Sequence, residues 1–94
     1  MLHIAILTLD FHLEGCVSLK EKRQRLGGLR DRFGRQPNMA VCESDRQDAM
    51  QRAQWTFVAV AGARAVTDQM IAEVEKFVAE TIDARVCGRE LEYA

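Results

Sequence analysis

Proline, histidine and cysteine are scarce in this chain. Its 94 residues include one proline, two histidines and three cysteines, and only 6% are aromatic. The cysteines, Cys16, Cys42 and Cys87, form no C-x-x-C pair. Their odd number and wide spacing give no disulfide framework, and with only His3 and His12 to help them they give no zinc site. His3 and His12 would fall on opposite faces of one strand, so a shared metal is excluded. No apolar run reaches the roughly 18 residues of a membrane span. The N-terminal apolar stretch has no basic leader and stops at Asp10, so it reads as a strand. Linkers, repeats and low-complexity segments are missing. The expectation is one domain over residues 1–94, cytoplasmic, with no membrane, metal or cofactor. A chain this short has no room for a cleft between domains.

Net charge is also nearly absent, at −1, but the charges are segregated. Residues 18–35 hold seven bases against two acids, and residues 65–94 hold three bases against seven acids. The basic segment is able to attract a phosphate backbone. It is equally able to pair with the acidic half of the same molecule.

What is present is clear periodicity. Residues 2–13 alternate, with Ala5, Leu7, Leu9, Phe11 and Leu13 on one face of a strand. Ser18-Leu19-Lys20-Glu21 has capping-box spacing, which typically contributes about 1 kcal/mol to a helix start. Leu19, Leu26, Leu29 and Phe33 follow as a helical stripe that ends near Gly34 and Pro37. Residues 39–44 and 53–61 read as two strands joined by the polar Asp45-Arg46-Gln47-Asp48, a hairpin. Val66, Met70, Ile71, Val74, Phe77 and Val78 predict a second amphipathic helix, and residues 84–93 a last, weakly patterned strand.

The order β-α-β-β-α-β predicts the ferredoxin-like α+β sandwich: a four-stranded antiparallel sheet with both helices on one face. The opposite sheet face is then bare. With Ala5, Leu7, Leu9 and Phe11 beneath the helices, and Val58 and Val60 as their partners, Ile4, Ile6, Trp55 and Phe57 are expected on that bare face. An exposed apolar patch of this kind suits association with a second copy.

The string Ser18-Leu19-Lys20-Glu21-Lys22-Arg23, the cluster Gln47-Asp48…Gln51-Arg52 and the chain length resemble the YlxP-like bacterial family of unknown function. The similarity runs over nearly the whole chain. It implies a ferredoxin-like fold. Members are often encoded beside translation and ribosome-maturation genes, which implies a link to RNA or the ribosome.

Three constellations follow. Lys20, Lys22, Arg23 and Arg25 are candidates for phosphate or RNA contact, since a helix N-terminus favours anions. The same lysines also serve as ordinary solvated residues beside a helix cap. Gln47, Asp48, Gln51 and Arg52 are candidates for partner recognition, or a turn that satisfies itself. Ile4, Ile6, Trp55 and Phe57 are the candidate interface. No set of residues suggests acid–base or nucleophilic chemistry, so the chain is expected not to be an enzyme. The leading expectation is a small protein that binds RNA or the ribosome. The alternative is a homodimer, or a larger homo-oligomer, joined through the open sheet face with no nucleic-acid role.

Overall fold

A computed structural model describes residues 1–94. Six elements follow in the order β1 (His3–His12), α1 (Leu19–Phe33), β2 (Met39–Asp45), β3 (Arg52–Ala61), α2 (Arg64–Thr81) and β4 (Arg85–Tyr93). The sheet has the order β2-β3-β1-β4, with every neighbouring pair antiparallel. The two strands richest in apolar residues therefore lie in the centre. This is the ferredoxin-like arrangement.

Local chemistry sets the element boundaries. Gly15 takes φ +72 in the turn after β1, a conformation other residues rarely adopt. Ser18 caps α1: its Oγ accepts from the Glu21 amide at 3.0 Å. The Glu21 carboxylate turns away from the cap to meet Arg25 Nη1 at 3.2 Å, so only half of the capping box forms. In α2 the buried stripe is Thr67, Met70, Ile71, Val74 and Val78. Val66 is exposed and Thr67 takes the inward place, with its hydroxyl donating to the Arg64 carbonyl at 2.9 Å.

The core lies between the helices and one face of the sheet. Ala5, Leu7, Leu9 and Phe11 of β1 are buried beneath Leu26, Leu29 and Phe33 of α1 and the inward stripe of α2. Phe33 joins the layers, edge-on to Phe57 at 6.0 Å and to Phe77 at 5.5 Å between ring centroids.

The face of β3 is opposite to the one expected. Leu7 pairs with Phe57 and Leu9 with Trp55, and directly opposed residues share a face. Trp55 and Phe57 are therefore buried beneath the helices, 5% and 0% exposed. Val58 and Val60 occupy the bare face beside Ile6 and Ile4. The reason is volume. Both faces of β3 carry apolar residues, but the outer one also carries Gln54 and Thr56, and the two large aromatics fill a small core that paired valines would leave underpacked.

Candidate functional site

The basic cluster expected at the start of α1 divides in two. Lys22 is 3% exposed. Its ammonium lies 2.8 Å from Glu43 Oε2 and donates to the carbonyls of Arg46 and Ala49, each at 2.8 Å. Two of its three protons go to those carbonyls and its charge faces Glu43, so this buried ammonium is closed to a phosphate. Lys22 is a clamp: it holds the β2–β3 connection against α1, including Arg46, which sits at φ +62. Arg25 is likewise used internally. It donates to the carbonyls of Asp83 and Glu14 at 2.8 and 3.0 Å, and it pairs with Glu21 and Asp83. Neither residue takes part in an open basic patch.

Lys20 and Arg23 do remain on the surface, and α1 adds bases that the local motif left out. Lys20, Arg23, Arg30 and Arg32 of α1, and Arg35 just beyond its end, are all exposed. None of them has a carboxylate within 4.0 Å. The acidic half finds other partners: Asp68 meets Arg64, Glu75 meets Arg89 and Glu80 meets Lys76. Lys20, Arg23 and Arg30 fall on one stripe of the helix, at spacings of three and seven residues.

Beside this stripe runs a groove of about 410 Å³ between α1 and the β2–β3 hairpin. Leu19, Arg23, Leu26, Gly27, Arg30 and Asp31 of α1 form one wall. Glu43, Gln47 and Asp48 form the other, and Trp55 also lines it. The Arg30 guanidinium sits 5.6 Å from the centre of the Trp55 ring. The groove thus unites parts of two constellations that the sequence keeps apart.

Gln47 and Asp48 of the hairpin set belong to this groove, while Gln51 and Arg52 do not. The Gln51 amide donates to the Cys16 carbonyl at 3.3 Å, and Arg52 reaches Cys87 Sγ at 3.4 Å. Sequence reading missed Arg30, Gly27 and the inward Trp55. The i, i+7 relation between Arg23 and Arg30 was the available signal.

The bare sheet face has two halves. Ile4 opposite Val60 and Ile6 opposite Val58 make a half-exposed apolar quartet. Thr8, Thr56, Ser44, Gln54 and Asp10 form a hydrogen-bonded polar half. Glu90 and Glu92 project from β4 on the same side. A side-chain hydrogen bond with Glu92, and repulsion from its charge, raise the Glu90 carboxyl above the usual 4.5. No helix is long and apolar enough to cross a membrane.

The sequence pattern described as "Protein of unknown function (DUF503)" matches residues 4–90. The chain belongs to the DUF503 family. No curated protein matches its sequence. Solved structures place this DUF503 chain among ferredoxin-like folds. The designed protein Foldit4 is 6% identical, with a TM-score of 0.62 over 100% of this chain and 97% of its own. A structural-genomics protein, YJCS, is 10% identical, with a TM-score of 0.59 over 95% of this chain and 96% of its own. A protein of unknown function from Bacteroides fragilis NCTC 9343, described as dimeric and ferredoxin-like, is 13% identical. Its TM-score is 0.59 over 98% of this chain and 94% of its own. Identities this low speak to the fold alone.

Proposed function

We propose that this DUF503 protein is a cytoplasmic binding protein, not a catalyst, and that its ligand is RNA, free or in the ribosome. The contact surface is the outer stripe of α1: Lys20, Arg23 and Arg30. The observation that carries this reading is that these three exposed bases have no carboxylate partner. Unpaired bases on one helix face release counterions when they meet phosphates. The resemblance to YlxP-like proteins supports the same setting. Retention of single-stranded RNA or of ribosomal subunits at low salt tests it. Binding is expected, and it should fall in K20A/R23A/R30A. No affinity for either at low salt would remove the reading.

The quartet Ile4, Ile6, Val58 and Val60 favours a second reading, a homodimer joined through the bare sheet face. One ferredoxin-like neighbour is described as dimeric. Ultracentrifugation at tens of micromolar tests this. A dimer that I6K dissociates supports it, and a strict monomer contradicts it.

A further inference from the structure

We propose that the groove between α1 and the β2–β3 hairpin seats one unpaired nucleotide of the RNA strand that the α1 bases hold. The inference rests on that RNA reading and specifies the form of RNA bound.

Three features support it. The first is an unmet donor. Trp55 is 95% buried, and its indole Nε1 is buried with no hydrogen-bond acceptor. Trp55 lines the groove, and a buried polar group without a partner is costly, so a small shift of the ring that brings this N–H to a ligand acceptor would be favoured. The second is the chemistry of the lining. A nucleobase edge carries both acceptors and donors. The groove offers the Gln47 amide, which already donates one N–H to the Glu43 carbonyl at 3.1 Å, to the acceptors, and the Asp31 and Asp48 carboxylates to the donors. Leu19 supplies apolar surface for a face of the base, and Arg23 and Arg30 of the same lining would meet its flanking phosphates.

The third is space. The volume of about 410 Å³ falls within the usual range for small-ligand pockets. Gly27 keeps one wall free: a Cβ built on it would meet nothing within 4 Å. A paired base is stacked inside its helix and unable to enter, so the groove selects single strands.

Trp55 is the only tryptophan, so its fluorescence reports on the groove directly. The full chain is titrated with a short single-stranded oligoribonucleotide, with the same sequence as a duplex, and with polyphosphate. The single strand should change the Trp55 emission saturably, and the other two should not. Filling the groove by Gly27→Phe, with folding checked by circular dichroism, should weaken single-strand binding about tenfold, the loss of one seated base. Duplex binding should be unaffected by it. Equal affinity for single strand and duplex with unchanged emission would overturn the groove proposal and leave the α1 reading standing. The same emission change with polyphosphate would also overturn it, because polyphosphate has no base. Binding of neither RNA would overturn both.

Discussion

Replacing Lys22 by Met should unfold this protein far more readily than replacing any other base of α1. The side chain is nearly sealed, and its ammonium serves Glu43, Arg46 and Ala49, all at 2.8 Å. A hydrogen bond to a charged group contributes about 1.5–3 kcal/mol, but Arg46 is exposed and Ala49 half-exposed, so water recovers part of the loss at their carbonyls. Glu43 would keep a largely buried carboxylate with no counter-charge. Breaking such a pair from one side costs about 3–5 kcal/mol, and partial rehydration places Lys22→Met near 3 kcal/mol. A domain of this length has roughly 5–14 kcal/mol of stability, so a drop in melting temperature of about 15 °C is expected. Denaturant unfolding at neutral pH measures it. Glu43→Leu added to Lys22→Met should restore much of the loss, since the stranded charge is then gone. A Lys22→Met midpoint corresponding to a loss under about 0.5 kcal/mol would refute the clamp. Lys20→Met and Arg23→Met should stay within about 0.5 kcal/mol of the parent.

Gly27→Ala should stabilise the protein by about 0.5–1 kcal/mol in thermal unfolding, because the helix gains propensity and the new methyl meets nothing. Gly28→Ala should gain less: its Cβ would lie 3.4 Å from the Phe77 ring, where α1 approaches α2. Glu90 should titrate above the ordinary 4.5 by carboxyl NMR, and Glu92→Gln should return it toward that value. A carboxyl with a raised pKa binds more protons folded than unfolded. This pair therefore subtracts stability as pH rises through the window above 4.5, and Glu92→Gln should flatten that fall.

Element order, boundaries and the central pair of strands were legible because period two and period 3.6 alternate cleanly along the chain. The face of β3 was not legible. Val58 and Val60 on one face and Trp55, Phe57 and Ala59 on the other are all apolar, so they leave the phase of β3 open, and the volume of the core decides it together with the polar Gln54 and Thr56. The swap leaves Ile4 and Ile6 on the bare face but sends Trp55 from an open sheet to the edge of a groove.

The site was half legible for a related reason. A string such as Lys20-Glu21-Lys22-Arg23 spans more than a turn of helix, so its side chains point in different directions. Lys22 turns toward the hairpin and Lys20 toward solvent. Charge density along the sequence could not separate them, and the partner that decides the matter, Glu43, lies in a different element. Arg30 joins Arg23 across seven residues, a relation that a local motif does not display.

The central claim is that the unpaired stripe of α1 holds RNA, and the salt dependence of affinity tests it most directly. With a single-stranded oligoribonucleotide, each phosphate contact contributes about 0.7 to the slope of log affinity against log salt. The triple variant Lys20→Gln, Arg23→Gln, Arg30→Gln should therefore bind more weakly, with a slope shallower by about 2. An affinity and slope identical to those of the parent chain would contradict the account.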